Sequence, residues 1–305
     1  MAIRLNKKKK CYDGFLVEGL DPVVFLMPYI MPRRTDSEVK VDLRMDLTKI
    51  EHFIKEQRTN NIPELTLYHF IFAALTRAAL VTPEINRFIA KHRIYQREQV
   101  RISMIVKKEL AIDGKESSIF PVFNADDSLN DIVRKINEKT EEAFENLKDD
   151  SNDFDRLTKI LYKIPTWVLS VFIGSLHFLD RHGWLPKKLV NLQPFHSGFF
   201  VTNVGSIGLP VIYHHLYQFG TTSGFLALGK KETETVINSK GQTKTRRILP
   251  IKMVLDGRIC DGFTYSTAMR TISKCFNHPE ILLESYNDLL KKNSEETNVL
   301  KVKAI

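Results

Sequence analysis

The sequence predicts a mixed domain of α-helices and β-strands, and three observations indicate it. Short segments alternate apolar and polar residues with the period of a strand, while longer segments repeat apolar residues with the period of a helix. The two kinds of segment follow one another in mixed order along the chain. In addition, 43% of the 305 residues are hydrophobic, which supplies enough apolar surface for a sizeable core.

The first predicted unit is a strand that leads into a helix. Apolar and polar residues alternate over residues 39–43, the pattern of a half-buried strand. Asp46 is placed to cap the following helix, in which Leu47, Ile50 and Ile54 fall on one face. We therefore expect an amphipathic helix at the surface of the domain.

The second predicted helix, LYHFIFAALTRAALV at residues 67–81, is apolar nearly all round. Thr66 is placed to cap it and Pro83 to end it, so this helix belongs in the core. A strand is predicted around residues 101–106, and apolar residues at helical spacing predict a third helix from Leu129 onward.

An uncharged run, IPTWVLSVFIGSLHFLD, predicts a hydrophobic helix over about residues 164–179, within a helical insertion at about 154–192. Its length is below the ~20 residues that span a bilayer, so a simple transmembrane helix is disfavoured. We expect a buried or subunit-facing helix. Basic flanks and Trp167 also suit the alternative, an interfacial helix at an anionic membrane.

The remaining segments predict strands and then two terminal helices. FFVTNV and FLALG have the character of buried strands, and IKMVL predicts another. TETVINSKGQTKT predicts a hairpin with its turn at residues 239–241. One terminal helix passes through Met269 and Phe276, and the other follows Pro279.

The charge balance favours anionic partners. The formal net charge is +9 and the pI is near 9.3, but no nucleic-acid reader module is recognisable, so we expect no nucleic-acid partner. Part of the charge is the run Lys7–Lys10, which suggests that residues 1–20 form a basic, solvated tail before a single domain over 21–305.

Cysteine usage and the N-terminus favour a cytoplasmic protein. The three cysteines, Cys11, Cys260 and Cys275, are odd in number and lack metal-like spacing, so neither a disulfide framework nor a metal site is expected. No apolar secretory signal follows Met1. We therefore expect a cytoplasmic location, and leave association with a membrane open as an additional possibility.

Two motifs carry a resemblance to a known family. CDGF at residues 260–263 follows a predicted strand and opens a helix, and resembles the end of the HxxxDG signature of chloramphenicol acetyltransferases and dihydrolipoyl acyltransferases. TNVGSIG at residues 202–208 resembles the SNLGxxG segment that precedes this signature. The segments LRMDLTKIEHFIKEQ and ELTLYHFIFAALTRAALVTPEINRFI extend the resemblance to residues 21–285, with its weakest part at about 150–192.

The resemblance implies both a fold and a chemistry. The fold would be the chloramphenicol-acetyltransferase-like one, a two-layer α/β (α+β) arrangement with a mixed central sheet flanked by helices. The chain would act as a homotrimer with active sites between subunits. Coenzyme A or acyl-coenzyme A would be a substrate, a histidine the general base and a serine or threonine hydroxyl the oxyanion donor. We expect no metal, and no lipoyl group on this chain.

Carried onto this sequence, the resemblance gives two residues a role and leaves one position empty. Thr202 falls where the oxyanion donor would be, although a threonine that simply fills a strand is an equal alternative. Asp261 matches the motif aspartate, which would be structural and contact an arginine, with Arg33 or Arg34 as its partner. The position of the catalytic histidine is occupied by Gly257, which cannot accept a proton.

A substitute base is available nearby in the sequence. His214 and His215 follow TNVGSIG in a segment that would border the substrate channel, and imidazole suits proton transfer near neutral pH. The alternative is that the pair only packs, and His196 is a weaker candidate. The sequence thus suggests an acyltransferase working between coenzyme A and a thiol or hydroxyl acceptor, or else a non-catalytic relative that binds an acyl thioester or lipid-like ligand.

Overall fold

The computed structural model describes residues 3–107, 116–148, 161–237, 241–292 and 294. Its α-helices are α1 (Pro22–Ile30), α2 (Thr48–Asn60), α3 (Leu67–Val81), α4 (Leu129–Lys148), α5 (Thr166–Arg181), α6 (Lys187–Asn191) and α7 (Gly262–Asn277). Its β-strands are β1 (Arg4–Cys11), β2 (Gly14–Glu18), β3 (Glu38–Asp46), β4 (Arg87–Ala90), β5 (Arg93–Arg97), β6 (Val100–Lys107), β7 (Glu116–Ile119), β8 (Val122–Phe123), β9 (Phe199–Asn203), β10 (Gly224–Leu228), β11 (Glu232–Ile237) and β12 (Thr243–Asp256).

The strands form one large mixed sheet and one small antiparallel sheet. The large sheet has the order β11-β12-β10-β9-β6-β7, with β3 also paired to β12 and β8 to β6. Strand β9 runs parallel to both β6 and β10, whereas β10 and β3 run antiparallel to β12. The small sheet has the order β1-β2-β5-β4. The predicted mixed α/β architecture is confirmed.

The main core lies between one face of the large sheet and the helices α2, α3, α4 and α7. Helix α3 contributes much of it, since residues 69–79 of this helix are all buried. The rings of Phe70 on α3 and Phe276 on α7 meet edge to face with their centroids 5.1 Å apart. The nearly continuous apolar surface of α3 therefore places it at the centre, as its sequence predicts.

The opposite face of the large sheet carries a smaller apolar cluster. Phe200 on β9, Phe225 on β10 and Val254 on β12 pack there with Leu216. Leu216 belongs to the segment 209–223, which we call the histidine loop because it contains both adjacent histidines. The loop thus covers part of the sheet face that the helices leave open.

Several predicted boundaries are confirmed. Helix α3 begins after Thr66, whose hydroxyl accepts a hydrogen bond from the backbone of His69, and ends at Val81 before Thr82. The predicted cap of α2 is one residue off: Leu47 is its N-cap residue, and Asp46 just before it accepts a hydrogen bond from the amide of Thr48 at 2.8 Å. The predicted hairpin is formed by β11 and β12, but its turn residues 239–240 lie outside the described residues.

The expectation of a solvated N-terminal tail is wrong. Strands β1 and β2 form an antiparallel hairpin that joins β5 and so completes the small sheet. Leu16 and Val17 on β2 are buried, whereas most of β1 is exposed. An exposed edge strand needs no apolar periodicity, and its lysines therefore resemble a tail in sequence. Helix α1, which follows the hairpin, was not predicted either.

The predicted hydrophobic helix forms as α5, but it is not buried in this chain. Asp180 is the only buried residue of the helix, while Trp167 near its start is 72% exposed. The interpretation of α5 as a core helix is therefore wrong. Residues 154–160 of the predicted insertion lie outside the described residues. Among the helices that the structure describes, none has both the length and the apolar content needed to cross a bilayer.

Candidate functional site

The position of the missing histidine is closed by the backbone. The amide of Gly257, just after β12, donates a hydrogen bond to the carbonyl oxygen of Ser37 at 2.8 Å. A Cβ atom on residue 257 would lie 2.9 Å from that oxygen and 2.9 Å from Val39 Cγ2. Glycine is required here because the strand end and the segment before β3 approach so closely.

A buried charge cluster holds this corner together. Arg258 donates to both carboxylate oxygens of Asp256, at 2.8 Å and 2.7 Å, and Arg34 Nε lies 4.0 Å from the same carboxylate. Burial alone would raise the pKa of Asp256, but the hydrogen bonds and charge of Arg258, helped by Arg34, lower it below its ordinary value. Asp256 is therefore a fixed anion between two cations. We call residues 256–258, with Arg34 and Ser37, the motif corner.

Arg34 also ties the motif corner to the histidine loop. Its guanidinium donates to the carbonyl oxygens of Tyr217, at 2.9 Å, and of Gly220, and its backbone amide donates to Gln218 Oε1 at 3.0 Å. Burial lowers the pKa of Arg34 to about 10, so the group remains a cation at neutral pH. These hydrogen bonds thus hold the second half of the histidine loop beside the motif corner.

Asp261 lies apart from this cluster. It is the N-cap of α7 and accepts a hydrogen bond from the amide of Thr264 at 2.8 Å, which lowers the pKa of its carboxyl. Arg33 pairs instead with Asp36, and Arg34 pairs with Asp256. The expected contact between Asp261 and either arginine is therefore wrong within one chain. The role of Asp261 as the structural aspartate of an active site stays a prediction.

Thr202 lies on the sheet face that carries the smaller apolar cluster. The strand register places Thr202 on β9, Ala227 on β10, Lys252 on β12 and Asp42 on β3 in one row across the sheet. The next row of the same face contains Phe200 and its pair Phe225. We call this surface the histidine face. The hydroxyl of half-buried Thr202 has no hydrogen-bond partner in the described part of the chain.

His214 packs directly onto the histidine face. Its ring stacks parallel on Phe225, with the centroids 3.9 Å apart and an interplanar angle of 5°. Its Nδ1 atom lies 3.0 Å from the carbonyl oxygen of His215, and donation to this oxygen assigns the proton of a neutral ring to Nδ1. The Nε2 atom is then the proton acceptor.

His215 is the more exposed member of the pair. Its ring stacks on His214 at 4.6 Å and meets Tyr217 edge to face at 5.2 Å. Nearby, Lys252 places its ammonium 4.4 Å from the ring centre of Tyr213. Aromatic and cationic side chains thus surround the one imidazole that is stacked on the sheet.

The residue that carries the His214 ring is a near neighbour of Thr202 on the histidine face. Phe225 is the diagonal neighbour of Thr202, and the spacings of strands and residues separate their backbones by about 8 Å. Along β12 the distance from Lys252 to Gly257 is on the order of 15 Å, so the motif corner is separate within one chain.

His196, the weaker candidate, is enclosed in the protein. His196 is 1% exposed, and its Nδ1 atom lies 3.3 Å from the Thr221 hydroxyl in a hydrogen bond. Its Nε2 atom lies 3.3 Å from Asp180 Oδ1, but this contact is not aligned as a hydrogen bond. Burial, aided by Arg97 and other arginines, lowers the pKa of His196 well below its ordinary value. A histidine without access to solvent or substrate is structural.

Asp180, which contacts His196, attaches α5 to the rest of the protein. Its carboxylate accepts hydrogen bonds from the amide of Gly220 at 2.7 Å and from the hydroxyl of Tyr12 at 3.1 Å. Burial raises the pKa of Asp180 above its ordinary value. The sequence analysis did not single out this residue, although it is the only carboxylate in the apolar helix α5 and that was the available signal.

Thiol chemistry has no support in this chain. Burial raises the pKa of Cys260 and of Cys275 to about 12 each, and that of Cys11 to about 11, so none is a thiolate near neutral pH. In the residues that the structure describes, no three His, Cys, Asp or Glu side chains are grouped as metal ligands.

Comparisons with known proteins agree with the motifs. Residues 187–284 match the family model of the 2-oxoacid dehydrogenases acyltransferase (catalytic domain). The dihydrolipoamide acetyltransferase of Azotobacter vinelandii has a similar structure, with 16% identity, coverage of 85% of this chain and 90% of that chain, and a TM-score of 0.50. A truncated catalytic core of the 2-oxoacid dehydrogenase multienzyme complex from Thermoplasma acidophilum is also similar. Its identity is 17%, the match covers 83% of this chain and 95% of that chain, and the TM-score is 0.50.

No curated protein sequence matches the chain significantly. The family match nevertheless includes both motifs, TNVGSIG and CDGF, and the structural similarity extends over most of the chain. The resemblance to the 2-oxoacid dehydrogenase acyltransferases and the chloramphenicol-acetyltransferase-like fold are therefore confirmed.

Proposed function

We propose that this relative of the 2-oxoacid dehydrogenase acyltransferases is itself an acyltransferase, in which His214 takes the place of the base that Gly257 cannot supply. It moves an acyl group between coenzyme A and a thiol or hydroxyl acceptor. The observation that carries the proposal is the His214 ring stacked on Phe225, with Nε2 free and the unpartnered Thr202 hydroxyl on the same sheet face.

The proposed reaction uses these two side chains in sequence. His214 Nε2 accepts the proton of the acceptor thiol or hydroxyl while its sulfur or oxygen bonds to the thioester carbonyl carbon. The carbonyl electron pair moves to oxygen, and Thr202 donates a hydrogen bond to that oxyanion. When the carbonyl re-forms, the bond from carbon to the sulfur of coenzyme A breaks and the sulfur receives the proton from His214.

The assembly and ligands of the relatives belong to the same proposal. The chain would act as a homotrimer with active sites between subunits, and acyl-coenzyme A would enter as substrate rather than as a resident cofactor. Dihydrolipoamide is the acceptor to test first, because it appears in the name of the similar Azotobacter enzyme. Support for the trimer comes from the shared fold alone.

The closed motif corner favours a second candidate function. A side chain at residue 257 would collide with Ser37, and Asp256 is engaged by two arginines, so this corner has no room for a base unless its packing changes. A non-catalytic relative that binds an acyl thioester or a lipid-like ligand would need no base there.

The first experiment measures coenzyme A release from acetyl- and longer acyl-coenzyme A by chromatography, with dihydrolipoamide as acceptor. His214→Ala is expected to lower kcat/KM about 10²–10⁴-fold, because it removes the general base. His215→Ala is the matched control and is expected to stay within a few-fold.

Thr202→Val supplies the second arm, since it removes the hydroxyl at nearly constant shape. We expect an about 10²–10³-fold loss in kcat with little change in KM. Full activity of the His214 variant would eliminate this base. Binding of acyl-coenzyme A by calorimetry without turnover of any tested acceptor would support the non-catalytic alternative instead.

A further inference from the structure

A basic cavity lies between the carboxyl ends of α1 and α5. It has a volume of about 280 Å³ and is walled by residues after α1, by the end of α5 and by the turn at Lys91 and His92. Five of its lining side chains are cations: Arg33, Arg34, Lys91, Arg181 and Arg258. Asp180 is its one lining carboxylate.

The charges inside the cavity are not balanced by its own residues. Arg34 and Arg258 are neutralised in part by Asp256, and Asp180 is already engaged by Gly220 and Tyr12. Lys91 and Arg181 form no ion pair within the described part of the chain, and both are exposed. These two full positive charges exceed the partial negative charge at the ends of α1 and α5. The cavity therefore favours an anion.

An apolar cavity adjoins the basic one. It has a volume of about 400 Å³, and its mainly apolar lining includes Leu16, Leu20, Phe25 and Ile94, with Glu18 and Arg93 as its charged members. Pro28 and His92 line both cavities and form the wall between them, with His92 Nδ1 3.3 Å from the Pro28 carbonyl oxygen. A charged compartment beside an apolar one suits a ligand with an anionic head and an apolar tail.

Apolar side chains are exposed on both helices that end at the basic cavity. The two helices that end at the basic cavity expose a large share of their apolar residues, which in a soluble protein marks an interaction surface. These residues are Val23, Phe25, Leu26, Tyr29 and Ile30 on α1, and Trp167, Val171, Phe172, Ile173 and Phe178 on α5. Trp184 and exposed Lys187 and Lys188 follow α5, as in segments that lie in a membrane interface.

We propose that this surface docks on an anionic membrane, with the phosphate of an acidic phospholipid in the basic cavity and part of an acyl chain in the apolar one. The α1 and α5 faces then lie in the interfacial layer. Charge selects this occupant over an uncharged protein surface, because Lys91 and Arg181 line the cavity without an ion pair in the described part of the chain, and two further exposed lysines follow α5. The proposal does not depend on acyl transfer at His214.

The test is flotation of the full chain with vesicles of phosphatidylcholine, with and without one-third phosphatidylglycerol. The parent protein should float only with the anionic vesicles. Lys91→Gln with Arg181→Gln should weaken binding about five-fold per cation removed. Val171→Asp with Phe172→Asp should abolish binding by placing charge on the apolar face.

A matched control removes two exposed cations elsewhere, Lys55→Gln with Lys274→Gln, and should bind as the parent does. Circular dichroism checks that each variant is folded. Equal binding to neutral vesicles, equal loss in the control, or no vesicle binding by the parent would overturn the proposal. If the α5 variant instead dissociates an oligomer that light scattering detects in the parent, the surface contacts a second copy and the membrane proposal fails.

Discussion

The motif corner lies at the end of β12 and the histidine face includes the middle of the same strand, yet the two regions hold their polar groups in opposite ways. At the corner, Asp256 is buried between Arg34 and Arg258, and Gly257 is pressed against Ser37. On the face, among the residues that the structure describes, the Thr202 hydroxyl has no partner and the Nε2 atom of His214 has none either. A satisfied, closed cluster serves stability, whereas unsatisfied groups beside open space are available for chemistry.

The largest expected effect in this comparison comes from removing the carboxylate of the corner. Asp256→Ala leaves Arg34 and Arg258 buried without their common anion, and should lower the free energy of unfolding by about 3–5 kcal/mol. Urea denaturation of the parent and the variant measures this loss in the free energy of unfolding. The matched control is Asp42→Ala, which removes an exposed carboxylate of the same sheet and should cost below about 1 kcal/mol. A similar small loss for both would show that the corner cluster is not structural.

A side chain at the motif glycine should be the next largest effect. Gly257→Ala puts a Cβ atom 2.9 Å from the Ser37 carbonyl oxygen and should cost about 1–3 kcal/mol. Gly262→Ala is the control, because a Cβ atom there meets no atom within 4 Å. We also expect Gly257→His to gain no acyl transfer. An active Gly257→His variant would show that the motif corner opens easily, which would contradict the contrast between a closed corner and an open histidine face.

The smallest expected effect is on the pH dependence of stability. It concerns the buried His196, in contrast to His214 and His215 on the histidine face. The folded-state pKa of His196 is lowered, so below about pH 6.5 the unfolded chain takes up a proton that the folded chain does not. Stability therefore falls with falling pH, by at most about 1.4 kcal/mol per pH unit for one proton. Urea midpoints measured from about pH 7 to about pH 5.5 should show this slope flattened by His196→Asn.

The exposed His52 provides the control for that measurement. His52→Asn should keep the slope of the parent, because it removes an exposed imidazole and leaves the buried His196 in place. If the His196 and His52 variants give the same slope, another group controls the stability of the protein in this range.

Local patterns predicted the elements whose sequence and burial agree. Helix α3 was predicted to the residue, because Thr66 caps it, Pro83 follows it and its apolar surface needs a core on every side. Strand β1 was not predicted, since an exposed edge strand rich in lysine has no apolar periodicity. Helix α5 was predicted as a helix but with the wrong burial, because an apolar run does not specify what will cover it.

The sequence by itself determined the family resemblance, the mixed α/β class and the absence of a base at Gly257, since each depends on residue types at fixed local spacing. Only the tertiary structure decided that Ser37 closes this position and that His214 stacks on Phe225 in the row beside Thr202. Those contacts depend on strand pairing between segments far apart in the chain, and no local pattern encodes that pairing.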